Sequence, residues 1–148
     1  MIFLDIVTTV CIGLLIGTEF AVSVFINPIL QRLDTSTRIQ AISFFAQRLG
    51  TAMPFWYALS ALLLIAEAVL RRHTDGISLL TTASALWLAV ILLTLIFLVP
   101  INNRMMRLDS SSSAQASLQQ HKTWDLLHRG RVVVLAASMI CFLVAVLR

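Results

Sequence analysis

Charge is what this sequence has least of. Only 12% of its 148 residues are Asp, Glu, Lys or Arg and 59% are hydrophobic, against about 25% and 45 to 50% in a soluble domain. With a mean hydropathy of +0.91, the composition excludes an ordinary soluble fold. Cysteine is scarce too. Cys11 and Cys141 lie within apolar runs, without CxxC spacing or a nearby His, and read as buried apolar thiols. No Lys or Arg precedes the first apolar run, which carries Asp5 and is far longer than the usual core of about 7 to 15 residues, so it is expected to remain a mature helix and not a cleaved signal. The pI near 10 comes from residues beside helix ends. They form no separate patch, so no nucleic-acid partner is expected.

What is there is apolar sequence in four runs: Ile2 to Leu30, Ala52 to Leu70, Ile77 to Val99 and Val132 to Leu147. A helical span needs about 20 such residues, somewhat fewer at the short end. The expected fold is all-α: an integral membrane antiparallel four-helix bundle forming one domain, with a short amphipathic helix between helices 1 and 2. Spans are placed at 3–27, 52–71, 77–100 and 125–147. The first is expected to end at Asn27-Pro28, because a residue before proline is pushed out of the helical region. Ile39, Ile42, Phe45, Ala46 and Leu49 recur at three- and four-residue steps and define the amphipathic segment 35–49. Asp34 offers N-cap chemistry before it, Gly50 is a plausible stop, and Pro54 suits the first turn of the second span. Residues 109–120, rich in Ser, read as a flexible loop. Eight Lys or Arg flank the first and third connections and three the other side. This places the first and third connections in the cytoplasm and both termini outside.

The costliest residue is Glu19. A carboxylate in the middle of a span costs about 2.5 to 3.5 kcal/mol, so it must face the interior and find partners. Thr8, Glu19, Ser23 and Asn27 share one helical stripe, while Gly13, Gly17 and Ala21 form a small-residue stripe suited to a close helix contact, either internal or in a homo-oligomer. By contrast, Glu67 and Arg71 at i,i+4 are explained by an interfacial ion pair. The hydroxyls of Thr81, Thr82, Ser84 and Thr94 can bond their own helix carbonyls.

Two further stretches carry chemistry. Val99 to Arg104, VPINNR, sets Asn102, Asn103 and Arg104 just after a proline. His121 to Arg131, HKTWDLLHRGR, puts His121, Asp125 and His128 on one helical face, a spacing that ligates a metal or lets Asp125 orient a histidine. Antiparallel topology brings Asn27, Arg48, Trp56, Asn102, Asn103, Arg104, Trp124, Asp125, His128 and Arg131 to one side of the membrane, with Glu19 about 12 Å deeper than Asn27. The inference is a pocket open to that face, with Glu19 at its floor.

The sequence GTEFAVSVFINP, then RLGTAMPFWY, VPINNR and WDLLHRGR, resembles a small four-helix membrane family that includes the fungal anthrone oxygenases. The resemblance runs from Gly13 to about Leu135. It implies an oxidoreductase that uses dioxygen to convert an activated methylene of an aromatic substrate to a quinone. Carried over onto this chain, it implies catalytic roles for Glu19, His128, Arg104 and Arg131, and substrate contacts from Asn27, Arg48, Trp56, Asn102, Asn103 and Trp124. His121 matches no family motif. A buried base, His128 or Glu19, would form the enolate and arginines would hold its oxyanion, with no cofactor required. A metal version would use Glu19, His128 and Asp125, donors that suit iron or copper. The expected partners are a small apolar or aromatic molecule and the lipid bilayer. The expected location is the cytoplasmic membrane of a bacterium, with the pocket side cytoplasmic. Two other readings remain open: a small proton-coupled multidrug-type transporter using Glu19, and a non-catalytic membrane interaction protein.

Overall fold

The structure, a computed structural model, describes residues 1–105 and 114–148. Four helices make up the fold of the described residues: α1 (Ile2–Leu30), α2 (Thr35–Leu70) and α3 (Ile77–Met105), and α4 (Ala114–Val146). Each contains a stretch long and apolar enough to cross a membrane, and no strand occurs among the described residues. The chain is a multi-pass membrane protein. The helices close a ring in which α1 and α3 each pack against both α2 and α4. Inside it lie Ile12, Leu15, Leu64, Leu80, Trp87, Leu135 and Phe142. Outside, Phe55 is 78% and Leu126 73% exposed. Large apolar side chains on the outer face are stable only against lipid.

Polar bonds between helices fix the register where apolar packing alone would slide. Trp56 Nε1 donates to the Cys11 carbonyl at 3.1 Å, Trp87 Nε1 to the Tyr57 carbonyl at 3.2 Å and Ser138 Oγ to the Ala83 carbonyl at 2.8 Å. The α2–α3 turn is held by close backbone approach. A Cβ on Gly76 would sit 2.9 Å from the Ala145 carbonyl oxygen, so only glycine fits there. The small stripe on α1 makes no such approach within the chain. Gly17 has nothing within 4 Å and Gly13 only the end of Met139 at 3.6 Å.

All three prolines lie inside helices. α1 passes Pro28 and continues to Leu30 because Val22–Ile26 forms a π-turn, with the Asn27 N–H bonded to the Val22 carbonyl. α3 repeats the device. Thr94–Leu98 is a π-turn, the Val99 N–H bonds the Thr94 carbonyl, and helix follows through Pro100 to Met105. A proline ring presses on the carbonyl four residues back and offers it no N–H. That residue is Val24 in one case and Ile96 in the other, the middle of each π-turn, where the wider winding relieves the clash. Pro54 has no π-turn and simply leaves the Gly50 carbonyl without its N–H.

Four expected boundaries shift. Segment 35–49 is helical, but it runs unbroken into the second span instead of standing as a separate amphipathic helix. Gly50 is no stop, Pro54 lies mid-helix, and α3 outlasts Pro100. α4 begins at Ala114, since Ala, Gln and Leu in AQASLQQ are good helix formers. Of the loop expected at 109–120, residues 109–113 lie outside the described residues and the rest is helix. The N-cap expectation fits: Asp34 accepts from the Thr37 N–H at 3.1 Å. Hydrogen bonds from the Thr37 side chain and backbone, with a smaller one from Ser36, hold its carboxyl below the ordinary value.

Candidate functional site

Glu19 is 2% exposed and is fully engaged. Its Oε2 receives Arg131 Nη2 at 2.5 Å and lies 3.1 Å from His128 Nδ1, while Oε1 accepts the Tyr57 hydroxyl at 3.0 Å. Three helices thus meet on one carboxylate. α1 supplies Glu19, α2 Tyr57 and α4 both His128 and Arg131, which share a face at i,i+3.

The histidine tautomer follows from its neighbours. His128 Nε2 lies 3.0 Å from the Glu19 carbonyl oxygen, which only accepts, so Nε2 carries the hydrogen. Nδ1 then accepts from Arg131 Nη2 at 2.9 Å. One guanidinium nitrogen, with two hydrogens, serves both the imidazole and the carboxylate. Arg131 also stands 5.4 Å from the centre of the Tyr57 ring and reaches Thr94 Oγ1 at 3.4 Å. The His128 ring is clamped flat by Trp124, whose ring centre is 4.6 Å away at 13°, and His121 stacks beyond it at 6.2 Å.

Beside this network is a cavity of about 350 Å³, walled mainly by apolar side chains such as Val22, Met53, Ile91, Leu98 and Val99, with Glu19, Tyr57, Thr94, His128 and Arg131 among its polar lining. Its volume is near the low end of ligand pockets, about 300 to 1,000 Å³. A smaller chamber of about 40 Å³ adjoins it, sharing Val22, Leu49, Asn102 and Trp124.

The structure gathers Glu19, His128, Arg131, Asn102, Asn103 and Trp124 around the cavity. It places the others elsewhere. Asn27 donates to Asp125 Oδ1 and lines only the smaller chamber. Trp56 turns to α1, and Arg48 and Arg104 are exposed and outside the lining. Asp125 does not orient His128, because Asn27 and Arg129 Nη2, the latter at 2.9 Å, occupy its oxygens. Thr8 leaves the Glu19 stripe as well, donating to Glu67 at 3.2 Å near the other end.

The residues do not fit a metal. Among the described residues no three of His, Cys, Asp or Glu stand together, and the paired donors Glu19 Oε2 and His128 Nδ1 already face the cation Arg131. Iron or copper bound there would have to displace the guanidinium, and Asp125 is not available as a third ligand.

Two residues enter that sequence reasoning did not assign. Tyr57 reads as one of three aromatics at a membrane edge, and Thr94 as a self-bonding helix hydroxyl. The signal for Tyr57 was its spacing from Ala61 and Leu64, which makes it a core position where a buried hydroxyl needs a partner.

The anthrone oxygenase family model matches residues 43–141, more than half of the chain. The matched stretch contains Tyr57, Trp124, His128 and Arg131 but begins after α1, so Glu19 lies outside it. No curated protein and no solved structure matches the chain.

Proposed function

The chain belongs to the anthrone oxygenase family, and from that premise we propose that its cavity binds a flat aromatic molecule with an activated methylene and oxidises it with dioxygen to the quinone. The observation that supports this most is a carboxylate at the wall of a mainly apolar cavity, held by a guanidinium and a phenol from two other helices, with an imidazole bonded to the same guanidinium.

Glu19 is the base. Its Oε1 accepts only the tyrosine, and a carboxylate oxygen has a second lone pair to receive a proton. Taking that proton from the methylene moves the C–H pair into the ring system and places negative charge on the carbonyl oxygen opposite. Arg131 stabilises the resulting enolate, and apolar walls exclude the water that would weaken the interaction. His128 is a positioning residue: its Nδ1 orients the guanidinium, while Trp124 and the Glu19 carbonyl fix its own ring. Dioxygen takes up two electrons from the carbanion, forming a carbon–oxygen bond, and Glu19 returns the proton to give a hydroperoxide. Loss of the second methylene hydrogen, with cleavage of the O–O bond, releases water and leaves the new carbonyl. The sum is one substrate and one dioxygen to one quinone and one water, so the balance calls for no cofactor.

The transporter reading is weaker on this geometry. Its coupling carboxylate must be free to exchange a proton for a cation, whereas Glu19 has Arg131 as a built-in counter-ion. The location proposed is the cytoplasmic membrane of a bacterium, and the distribution of basic residues supports a cavity end toward the cytoplasm.

The test is oxygen uptake by protein in nanodiscs supplied with anthrone. Wild type should consume one dioxygen per quinone formed, and Glu19→Gln should be slower by about 10² to 10⁴, the usual worth of a positioned base. Uptake by Glu19→Gln equal to wild type would remove Glu19 from the reaction.

A further inference from the structure

The cavity touches all four helices, but its exposed lining residues belong to only two of them. Pro54 and Ala58 of α2 and Leu95 and Asn103 of α3 are exposed, whereas the lining residues of α1 and α4 are buried or half-buried. The opening is therefore in the seam between α2 and α3. We infer that this seam is a lateral portal, through which an aromatic molecule dissolved in the bilayer enters the cavity. The inference rests on the oxygenase reading and adds to it the route and the physical state of the substrate.

Three observations carry it. Gly50, Pro54 and Ala58 recur at four-residue steps on the α2 side of the cavity, and none has a side chain that reaches across to α3. Leu95 is 58% exposed and lies eight residues before Asn103, about 12 Å along the helix. The slit thus runs from the polar end of the bundle along two helices long and apolar enough to cross a membrane, in which Pro54, Ala58 and Leu95 all lie. No exposed lining residue is charged. An ionic or heavily hydroxylated molecule would lose its hydration in the slit without recovering it. A flat hydrocarbon skeleton would not, and the bilayer already concentrates it beside the opening.

Entry and binding are separable by experiment. Protein in nanodiscs is mixed with anthracene, which has the ring skeleton but no reacting methylene, and the rise of tryptophan-sensitised anthracene emission is followed, with anthrone as competitor. Ala58→Phe narrows the slit. Leu59→Phe adds a ring on the same helix at a lipid-facing position that does not line the cavity. Ala58→Phe should slow the rise at least tenfold with its final amplitude retained, and Leu59→Phe should leave the rate unchanged. Leu95→Ala, which widens the slit, should speed the rise and covers the case in which Ala58→Phe does not fold. Equal rates in all variants with full amplitude would overturn the portal and leave the oxygenase reading standing. Absence of any anthrone-competed emission in folded wild type would overturn that reading, and the portal with it.

Discussion

At the scale of single residues, the site is an answer to one electrostatic problem. A carboxylate and a guanidinium, both mostly removed from water, each cost several kcal/mol to desolvate, and only mutual pairing with full hydrogen bonding offsets that. Glu19 and Arg131 meet the condition through Tyr57, His128 and Thr94. Breaking one side is therefore worse than removing both. Arg131→Met should destabilise the protein by about 3 to 5 kcal/mol, because it strands Glu19. Adding Glu19→Gln to Arg131→Met should recover much of that loss, read as the midpoint of denaturant unfolding followed by tryptophan emission. If the double variant were the sum of the two single ones, the pairing would not be what holds these residues. Glu19, His128 and Arg131 were legible in the sequence because ionisable groups beside or within apolar runs stand out. Tyr57 was not, for a definite reason. With Pro54 read as the first turn of a helix, Phe55, Trp56 and Tyr57 fall at a membrane edge. In a helix that begins at Thr35, the same tyrosine lies in the interior.

At the scale of elements, the departures from the expected boundaries that bear on the cavity concern where a helix stops. A proline in the chain reads as an end, but α1 and α3 absorb theirs with π-turns, and both turns border the cavity through Val22, Thr94, Leu95 and Leu98. Local propensity does not encode this, because the π-turn is stabilised by what packs around it. Arg104, to which the family resemblance gives a catalytic role, is exposed on the continued α3 and outside the cavity lining. The start of α2 was legible, since Asp34 caps it through a local motif, and it carries a pH dependence. The carboxyl of Asp34 is lowered from 3.8 by its Thr37 and Ser36 bonds. Its contribution is therefore present above the unfolded value and is lost as the pH falls through the lower folded one. Amide exchange at Thr37, corrected for its intrinsic rate, should be slow at neutral pH and approach that of Asp34→Ala as the pH drops below about 4. Asp34→Asn, which keeps an acceptor without a titrating charge, should show no such step. A step retained in Asp34→Asn would place the pH dependence on another group.

At the scale of the whole molecule, two of the bundle's buried carboxylates, Glu19 and Glu67, lie toward opposite ends and differ in their surroundings. Glu67 is 1% exposed and is held by Thr8 and by Arg71 of its own helix at 3.3 Å, and Arg71 also binds Asp5. That network ties α1 to α2 beside a tight turn, and Glu67 lines no cavity described here. Glu19 has equivalent partners but adjoins 350 Å³ of space. Burial and pairing are thus shared features, and access to a cavity is what distinguishes the carboxylate proposed to react. The sequence explained Glu67 by its i,i+4 pairing with Arg71 and singled out Glu19 by its place within an apolar run and by the family resemblance; of the two, the structure puts only Glu19 at a cavity wall. This difference leads to a paired expectation. Glu67→Gln leaves Arg71 with Asp5 and weakens one helix contact, so it should lower the thermal midpoint while anthrone-dependent oxygen uptake per folded molecule stays within about twofold, well short of the loss expected for a base. Glu19→Gln should lose uptake by orders of magnitude per folded molecule, beyond whatever fall in thermal midpoint follows from stranding Arg131. Measured side by side in the same nanodiscs, equal losses of uptake in both variants would show that these carboxylates act only by holding the bundle together.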